Sequence, residues 1–517
     1  MKILSVPQIR EADAYTIAQE PIASIDLMER AAKACADWLR AHLAPAAELV
    51  ILCGNGNNGG DGLAVARLLR EEPHFDVHVF TFPLSSKDSE DFSKNLSRLR
   101  NVPGVQLHEC KDAAPFKNFQ LDPRRHVIVD ALFGSGLGRA PEGAAAEIIS
   151  QVNASRCEVI AIDVPSGLFG DDNSANDRKH VIRATATLTF QSPKLAFLFA
   201  ENAPFTGDFH VLDIGLHPEF LAQAKTPHHF ITADMIAAIY RPRPKFAHKG
   251  TFGHALLVCG SRGKMGAGVL AASACLSSGV GLLTVLVPRC GYEILQTAVP
   301  AAMTIESEEE SIISGKIPNG FQAVGMGPGI GTEKATEQAL KQLIQERNAP
   351  LVLDADALNI LAENKTWLAF LHEEIILTPH PGEFDRLTEK HNSGHARLTS
   401  QQAFARRFGV HVVLKGAHTS IACPDGTVYF NSTGNPGMAT GGSGDVLTGI
   451  ITALRAQGYG AREACILGVW LHGVGGDLHR QYHSEESLTA TELVRNLGEA
   501  FRYAAGLGND SRLLRKQ

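Results

Sequence analysis

The sequence predicts an α/β protein built on parallel sheets, and three features support this fold class. Short apolar runs rich in Val, Ile and Leu alternate with helical patterns over most of the chain, as crossover connections between parallel strands require. Several of these runs end in glycine-rich loops that lead directly into a helical pattern. The 517 residues exceed the roughly 250 to 300 at which one core stops growing, so we expect at least two domains.

The first half of the chain contains five predicted strands and a capped leading helix. The strands cover residues 49–53, 77–81, 126–130, 158–163 and 185–190. Ser5 followed three residues later by Gln8 predicts a capping box, in which side chains and backbone exchange hydrogen bonds at the start of a helix. This half is therefore expected to form an α/β domain of its own.

The second half repeats the alternation of strands and helices. Its predicted strands cover residues 254–259, 281–287, 351–354 and 411–414. Helices are expected to begin at Thr399 and Thr489, because Gln402 and Glu492 follow them at the capping-box spacing. Residues 217–229 lose strand character, and residues 241–250 are rich in proline and basic side chains. We place the boundary near residue 225, with domains at 1–222 and 226–510.

Composition restricts the classes of partner. The formal net charge of −7 argues against a nucleic acid or a membrane surface as the main partner, while small phosphorylated ligands remain compatible. Nine cysteines occur without a CxxC pair, which predicts reduced, buried thiols. The N-terminal residues lack the apolar segment of a signal peptide, and no run approaches the roughly 18 apolar residues of a membrane span. We therefore expect a cytoplasmic protein.

A glycine-rich turn after the first predicted strand indicates one ligand site. CGNGNNGGDG (residues 53–62) precedes a helical pattern, which is the strand-turn-helix setting for phosphate binding. Its side-chain oxygens also suggest a hard cation. The strand ends in VDALFGSGLGR (129–139) and AIDVPSGL (161–168) carry similar residues. Because carboxyl ends of parallel strands meet at one edge of a sheet, the three loops predict one crevice.

A second glycine-rich turn, GNPGMATGGSGDVLTGI (residues 434–450), indicates an anion site with a base. Gly441, Gly442 and Gly444 permit positive φ, so that successive N–H groups can point at one phosphate next to a helix N-terminus. Asp445 would then stand where a hydroxyl attacks. The alternative is that Asp445 is an ordinary N-cap residue.

These motifs resemble a known family. NNGGDG with the DALFGSGL and DVPSG loops is similar to the epimerase domain of the NAD(P)H-hydrate repair enzymes. The second half resembles their dehydratase domain, a relative of ribokinase-like kinases, through KGTFGHALLVCGS, GPGIG, LDADALN, TPHPGE, KGAHT and NPGMATGGSGD. The resemblance implies a Rossmann-like three-layer α/β/α first domain and a ribokinase-like α/β second domain. It also implies a bifunctional enzyme, an isomerase and a lyase, that acts on 6-hydroxylated NADH and NADPH.

For the first domain, the resemblance implies interconversion of R and S hydrates, with Asp163 as acid/base and K⁺ held by Asn58, Asp130 and Ser166. Substrate would be bound by Asn57, Asn58, Gly59, Gly60, Asp61, Gly134, Ser135, Gly136, Leu137, Gly138, Arg139, Ala140 and Asp163. An Asp before Val-Pro also commonly caps a turn, so a structural role for Asp163 stays open. Many relatives have proline where this chain has Asn55, which is expected to loosen the turn slightly.

For the second domain, the resemblance implies dehydration of the S hydrate at the expense of ADP, less readily ATP, with Mg²⁺ accompanying the nucleotide. Asp445 would accept the proton of the substrate hydroxyl as it attacks the terminal phosphate, while the amides of Gly442, Ser443 and Gly444 stabilise developing charge. Substrate positions are Ala267, Gly329, His380 and Asp445, and nucleotide positions are Lys415, Gly416, Ala417, His418, Thr419 and Gly444.

Several assignments have structural alternatives. His380 lies between two prolines and is equally expected as a turn residue, and Lys415 is equally expected as a solvated charge. Asp354 and Asp356 either face magnesium through the phosphates or cap a helix. The alternative function is a vitamin-type kinase for a small alcohol, with a non-catalytic ligand-binding first domain. The expected partners are NADHX, NADPHX and ADP or ATP, with homo-oligomers of the chain and neither nucleic acid nor membrane.

Overall fold

The computed structural model describes residues 1–44, 47–71, 75–346 and 349–509, and these fall into two compact units. The first domain comprises Lys2–Thr226 with Ser393–His395. The second comprises Met1, Pro227–Asn392 and Ala396–Gln517. Within the described ranges, no helix combines the length and apolar character needed to cross a bilayer.

The first domain alternates helices and strands along its length. Its strands are β1 (Glu48–Gly54), β2 (Asp76–Phe82), β3 (Val105–Glu109), β4 (His126–Ala131), β5 (Glu158–Ile162), β6 (Ala186–Phe190) and β7 (Asp208–Leu212). Its helices are α1 (Val6–Gln19), α2 (Ser24–His42), α3 (Asn57–Glu71), α4 (Glu90–Leu99), α5 (Ala114–Lys117), α6 (Gly143–Ser155), α7 (Ala203–Thr206) and α8 (Pro218–Gln223). Helix α1 begins with the predicted capping box of Ser5 and Gln8.

All seven strands of this domain are parallel, in the order β3-β2-β1-β4-β5-β6-β7. The chain moves outward from β1 to β3 and then returns to place β4 on the other side of β1. In open parallel sheets, ligands bind at such a reversal, beyond the carboxyl ends of the strands. The β1–α3 and β4–α6 loops flank this position, as the sequence predicts.

Two hydrophobic layers cover the two faces of this sheet. In β1, Leu49, Ile51 and Cys53 pack into one layer with residues of α2 and α3, whereas Val50 and Leu52 pack into the other with residues of α6. Side chains of a strand alternate between faces, so a continuous apolar run buries both. The first domain is therefore a three-layer α/β/α structure.

The second domain contains ten further strands and ten further helices in the described ranges. The strands are β8 (His228–Phe230), β9 (His254–Val258), β10 (Leu282–Val287), β11 (Met303–Glu306), β12 (Ala323–Met326), β13 (Leu351–Leu353), β14 (Ile375–Leu377), β15 (His411–Leu414), β16 (Ser420–Ala422) and β17 (Val428–Phe430). The helices are α9 (Ala233–Ile239), α10 (Met265–Ser277), α11 (Tyr292–Ala298), α12 (Lys334–Glu346), α13 (Ala355–Glu363), α14 (Pro381–Leu387), α15 (Gly394–Phe408), α16 (Ser443–Ala456), α17 (Ala461–Arg480) and α18 (Ala490–Asn509).

These ten strands form one sheet in the order β11-β10-β9-β12-β13-β14-β15-β16-β17-β8. The strands are parallel except that β16 runs antiparallel to both of its neighbours. The order reverses between β9 and β12, so the loops after these strands flank a second ligand-binding position. The predicted α/β class, with a largely parallel sheet in each domain, is confirmed.

Helix α16 packs very closely against α10, and this contact fixes its position. A side-chain carbon added at Gly449 would lie 2.2 Å from the carbonyl oxygen of Ala271. Only glycine permits this approach of the two backbones. The remainder of α16 is buried among apolar side chains from α17 and the sheet. The N-terminus of α16 is therefore held by a rigid core.

Two local expectations have different outcomes. Thr489 precedes α18 and accepts a hydrogen bond from the Glu492 amide, as predicted. The helix expected to begin at Thr399 instead begins at Gly394, so that prediction is wrong. Residues 396–398 are Ala, Arg and Leu, which are strong helix formers. The helix therefore already includes the residues before Thr399, where its N-cap was expected. All nine cysteines are free, and eight of them are buried.

Candidate active sites

The turn between β1 and α3 is held by glycines and by a buried asparagine. A side-chain carbon at Gly59 would lie 1.7 Å from the carbonyl oxygen of Gly54, so the turn closes only around glycine. Asn55 donates to the Ser85 carbonyl and to Asp88, both at 2.9 Å, and accepts from the Ser85 amide at 2.8 Å. These bonds anchor the turn and offset the loosening expected from the absence of proline.

Asn58, Asp130 and Ser166 form one buried cluster. Ser166 donates to the Asp130 carboxylate through its hydroxyl at 2.6 Å and its amide at 2.7 Å. The Asn58 amide donates to the carbonyls of Phe133 at 2.9 Å and Ile162 at 3.3 Å, which fixes its orientation. Burial raises the pKa of Asp130 to about 6, although the bonds from Ser166 oppose this. The donors that Asp130 meets are neutral, so a cation would add the charge that the cluster lacks.

Asp163 lies directly after β5 in a strained backbone conformation and is paired with a buried lysine. Its φ of 65° is in the left-handed region, which is costly for a residue other than glycine. Its carboxylate lies 2.9 Å from Lys194 Nζ and accepts from the Ser135 amide at 2.9 Å. Burial alone would raise the pKa of Asp163, but the Lys194 ammonium and these hydrogen bonds outweigh it and lower the pKa. The carboxylate is therefore ionised at neutral pH.

A cleft of about 1150 Å³ opens at the switch point of the first sheet. Ten of the predicted substrate positions line it, namely Asn57, Asn58, Asp61, Gly134, Ser135, Gly136, Leu137, Arg139, Ala140 and Asp163. Gly59, Gly60 and Gly138 do not line the cleft, and the first two instead shape the turn beneath it. A side-chain carbon at Gly134 would lie 3.3 Å from both Asn58 and Asp163, so this glycine brings the backbone close to both.

The second candidate site is centred on the N-terminus of α16. Gly442 is the N-cap residue with a φ of 89°, whereas Gly441 and Gly444 do not adopt the positive φ that glycine permits. Asp445 is the third residue of the helix and does not cap it. The Ser443 amide donates a long bond of 3.4 Å to the Thr440 carbonyl, so the start of α16 presents its amides beside the Asp445 carboxylate, a setting suited to an anion.

Asp354, Lys415 and Thr448 form a charged network beneath this N-terminus. Lys415 Nζ lies 2.8 Å from one oxygen of Asp354, and the Thr448 hydroxyl donates to the other oxygen at 2.8 Å. The side chain of Lys415 is 21% exposed and that of Asp354 only 2%, so Lys415 is not a solvated charge. Asp354 precedes α13 without a side-chain capping bond, which removes the capping alternative for it.

Asp445 faces a net negative environment. Burial raises the pKa of Asp445 to about 6, and the carboxylates of Asp354 and Asp356 add to this, while Lys415 opposes it. A side-chain carbon at Gly444 would lie 3.3 Å from Lys415 Nζ, so the absence of a side chain there lets the backbone approach the ammonium. The arrangement combines an anion-binding helix end with a carboxylate whose pKa is near neutrality, which suits a general base.

His380 is the N-cap residue of α14. Its Nδ1 accepts from the Gly382 amide at 3.0 Å and the Glu383 amide at 3.3 Å, and its own amide donates to the Glu383 carboxylate at 2.7 Å. The turn role that the sequence left open is therefore present. Half of the His380 side chain remains exposed, and its Nε2 lies 3.4 Å from the Glu383 carboxylate.

The remaining predicted positions lie in the first turn of α10, in the loop after β12 and in the turn after β15. Gly329 has a φ of 65°, and a side-chain carbon there would lie 3.2 Å from the Ala267 methyl group, so these two substrate positions are neighbours. The residues after β15 form a tight turn in which the Thr419 hydroxyl donates to the Gly416 carbonyl at 2.9 Å. His418 Nδ1 lies 3.1 Å from the carbonyl oxygen of Asn431, which fixes the ring, and Ala417 lies between these residues in the same turn.

Comparison with known proteins assigns both halves of the chain. Residues 24–196 match the family model of the YjeF-related protein N-terminus, and residues 255–498 match that of NAD(P)H-hydrate dehydratase. The bifunctional NAD(P)H-hydrate repair enzyme of Moorella thermoacetica is 35% identical, over 99% of this chain and 100% of that protein. The enzyme of the same description from Thermofilum pendens is 33% identical, over 97% and 96%. The chain belongs to this family.

Solved structures also resemble part of the chain. An ADP/ATP-dependent NAD(P)H-hydrate dehydratase from Bacillus subtilis, co-crystallised with ATP and Mg²⁺, is 29% identical with a TM-score of 0.46. It covers 53% of this chain and 98% of its own. A ribokinase-like superfamily protein from Enterococcus faecalis is 26% identical with a TM-score of 0.48, and it covers 55% and 98%.

Sequence analysis of this repair-family member did not predict three side chains that lie at the two sites. Lys194 follows a proline outside any of the quoted motifs, and only the fold brings it to Asp163. His472 on α17 contacts the Ser443 hydroxyl at 3.2 Å, and burial lowers its pKa to about 4, so the ring is neutral. Thr448 could have been predicted from the sequence as a site residue, because it lies four residues after Gly444 on the same face of α16.

Proposed function

We propose that the chain is a bifunctional nicotinamide-nucleotide repair enzyme. The first domain would epimerise the R and S hydrates of NADH and NADPH, and the second would dehydrate the S form at the expense of ADP, releasing AMP and phosphate. The proposal rests on two aspartates in one chain, each within a family motif at a sheet switch point. The pKa of Asp163 is lowered, whereas the pKa of Asp445 is raised. The match to bifunctional relatives over their full length supports it.

In the epimerase site, Asp163 would move a proton at the hydroxylated ring carbon. Its ionised carboxylate also stabilises positive charge that develops on the nicotinamide ring when the hydroxyl leaves. The backbone around Gly134 and Ser135 would position the dinucleotide, since the Ser135 amide already orients Asp163.

Asn58, Asp130 and Ser166 would hold K⁺ beneath this site. They offer amide, carboxylate and hydroxyl oxygens, which are suitable ligands for a hard cation. The fit rests on Asp130, whose fully buried carboxylate accepts hydrogen bonds only from the neutral groups of Ser166 and Leu132 among the residues that the structure describes. When bound, the ion supplies positive charge that would help to hold the β4 loop and the dinucleotide together.

In the dehydratase site, Asp445 would accept the proton of the substrate hydroxyl as that oxygen attacks the terminal phosphate of the nucleotide. Hydroxide is a poor leaving group near neutral pH, whereas a phosphate ester departs readily. The amides of Gly442, Ser443 and Gly444 would stabilise charge on the transferred group, and Lys415 would contact phosphate. Elimination of phosphate then restores the dihydronicotinamide ring.

The nucleotide would lie against the turn after β15, formed by Lys415, Gly416, Ala417, His418 and Thr419, with Gly444 opposite. The hydrate would contact Ala267, Gly329 and His380. Mg²⁺ carried by the nucleotide phosphates would face Asp356 and Asp445. Asp354 is a poor direct ligand, since Lys415 and Thr448 occupy both of its oxygens.

The test measures recovery of reduced-nicotinamide absorbance from a mixture of R and S NADH hydrates. Complete recovery with ADP, and less with ATP or without nucleotide, is expected. Asp163→Asn should leave the R fraction behind, while Asp445→Asn should abolish recovery and leave epimerisation intact. Recovery of the S fraction alone by the unmodified chain would reduce the first domain to a binding module. No recovery, with a stable phosphorylated product, would establish a small-alcohol kinase instead.

The cation is tested separately on the same chain. Replacing K⁺ with tetramethylammonium should slow epimerisation and leave dehydration of the S hydrate unchanged. In Asp130→Asn the K⁺ response of the epimerase should disappear, because the charge that attracts the ion is removed. Equal epimerase rates with and without K⁺ would contradict the assignment.

A further inference from the structure

Asp61 is a buried carboxyl group in the first cleft that the proposed mechanism does not use. It lies in the second turn of α3, its residue is 8% exposed, and it forms part of the cleft wall together with Asp163. In the part of the chain that the structure describes, no group donates a hydrogen bond to its carboxyl. Burying a carboxyl group without a partner is costly, so such a group in a cleft indicates a role toward a ligand.

A neighbouring aspartate shows what a structural carboxylate looks like in this environment. Asp91 on α4 is buried to a similar degree, at 6% exposure, but it accepts a hydrogen bond from the Ser24 hydroxyl at 2.6 Å. That bond joins α4 to the start of α2. Asp61 makes no comparable bond, and its oxygens are left for whatever occupies the cleft.

The charges around Asp61 favour its protonated form. Burial raises the pKa of Asp61 well above its usual range, and the carboxylates of Asp163, Asp13 and Asp91 add to the effect. The other titratable groups that face it are Cys35 on α2 and Cys53 on β1, both buried and uncharged at neutral pH. Lys194 is engaged by Asp163 and by the Thr189 hydroxyl. These neighbours favour a proton on Asp61 rather than on Asp163.

We infer that Asp61 is the general acid of the first site and Asp163 the base, an assignment that rests on the proposed epimerase function. Asp61 gives its proton to the hydroxyl oxygen as the bond from that oxygen to ring carbon 6 breaks, and water leaves. The lone pair of the ring nitrogen forms a double bond to carbon 6, which becomes cationic. Water then adds to carbon 6 on the other face, and Asp163 takes the proton that it loses.

One turnover thus moves one proton from Asp61 to Asp163 and inverts carbon 6. Exchange of both carboxyl groups with solvent through the cleft restores the starting state. Groups whose environments separate their pKa values in this way are the usual acid and base of an enzyme site. The two aspartates divide the work that a single acid/base group would have to perform on both faces of the ring.

Asp61→Asn tests the inference, with epimerisation of R hydrate followed in the presence of excess separate dehydratase activity. We expect kcat to fall by roughly 100-fold or more, with KM within a few-fold, because a general acid acts in the transition state. Asp61→Glu should restore part of the rate. Dehydration of S hydrate by the same chain is the internal control, and Asp91→Asn is the matched control for loss of a buried neighbouring carboxylate.

The pH profile distinguishes an acid from a binding residue. The unmodified chain should lose epimerase kcat as pH rises through the pKa of Asp61, and Asp61→Asn should lack this limb. Asp13 lines the same cleft, and burial and the Asp163 charge raise its pKa to about 6. Asp13→Asn removes a negative charge near Asp61, so it should move the basic limb to lower pH.

The outcomes distinguish a failure of the Asp61 role from a failure of the proposed epimerase function. Asp61→Asn with kcat within three-fold of the unmodified chain, or with a change in KM alone, overturns the role of Asp61 and leaves the epimerase standing. If Asp61→Asn does not fold, an unmoved basic limb in Asp13→Asn overturns the role instead. Absence of epimerisation by the unmodified chain, or full activity of Asp163→Asn, overturns the proposed function itself.

Discussion

Neutralising the two candidate catalytic aspartates should move the stability of their domains in opposite directions. In Asp445→Asn, a carboxylate with a raised pKa is removed, and the described residues donate no side-chain hydrogen bond that the change would break. In Asp163→Asn, a carboxylate with a lowered pKa is removed, and Lys194 is left buried without its counter-charge. The first change should stabilise and the second should destabilise.

The magnitudes follow from the pKa directions and from burial. The rise in the pKa of Asp445 from 3.8 to about 6 corresponds to a loss of folding stability of about 3 kcal/mol. Partial exposure of the side chain reduces this loss to about 2 kcal/mol. Because folding raises this pKa, the loss of folding stability is absent below about pH 3.8, grows as pH rises, and is complete above about pH 6. Breaking the buried pair of Asp163 and Lys194 should cost about 3 to 5 kcal/mol.

The sign is reversed for Asp163. Folding lowers its pKa, so the pair stabilises the domain above the ordinary value of 3.8, and this contribution is lost as pH falls through the folded-state value. Calorimetry of the full chain at pH 4.5 and pH 8 measures both effects. At pH 8, Asp445→Asn should raise the transition of its domain by several degrees and Asp163→Asn should lower that of the other domain. A lower transition for Asp445→Asn, or a gain that does not grow with pH, would refute the electrostatic account.

Two further changes test the sites from different directions. Lys415→Met removes the cation that lowers the pKa of Asp445. The acid limb of dehydratase kcat/KM should therefore move above pH 6, and the plateau should fall by at least about 10-fold. An unmoved limb in the pH–rate profile would contradict this. Gly59→Ala places a methyl carbon 1.7 Å from the Gly54 oxygen, so thermal unfolding should show a loss of about 2 to 4 kcal/mol in the first domain and epimerase activity should drop. Gly56→Ala in the same turn is its control, because nothing lies within 4 Å of the added carbon, and equal losses in both variants would show that space is not the cause.

Long strands and their loops could be predicted from the sequence because the signal is local. β1 and β4 are continuous apolar runs, buried on both faces, and the glycine-rich loops follow them directly. The capping box at Ser5 and the hydrogen bond from the Glu492 amide to Thr489 are also local. Among strands of three or four residues, β13 and β15 were predicted, whereas β12 and β14 were not. Such strands have too few residues for a periodic pattern, and the assignment of β12 and β14 depends on the neighbours that pair with them.

The charged partners within the sites could not be predicted, because pairing is decided by the fold. Asp163 and Lys194 are separated by 31 positions, and Asp354 and Lys415 by 61, so no spacing rule connects them. Family resemblance identified the aspartates and Lys415 but contained no information about which charge neutralises which. That information determines the protonation state of each carboxyl group, and hence its possible role.

The distribution of the two lysines explains why the pKa of Asp163 is lowered and the pKa of Asp445 is raised. Lys194 contacts Asp163 directly, so its charge overcomes burial there. Lys415 contacts Asp354 instead, and Asp445 therefore experiences burial and two carboxylates with only a partly neutralised ammonium nearby. A base that accepts a proton from an alcohol gains from a pKa near the working pH, whereas a carboxylate that stabilises a cationic ring must be ionised when the hydroxyl leaves. The placement of each lysine thus fits the charge that its reaction develops.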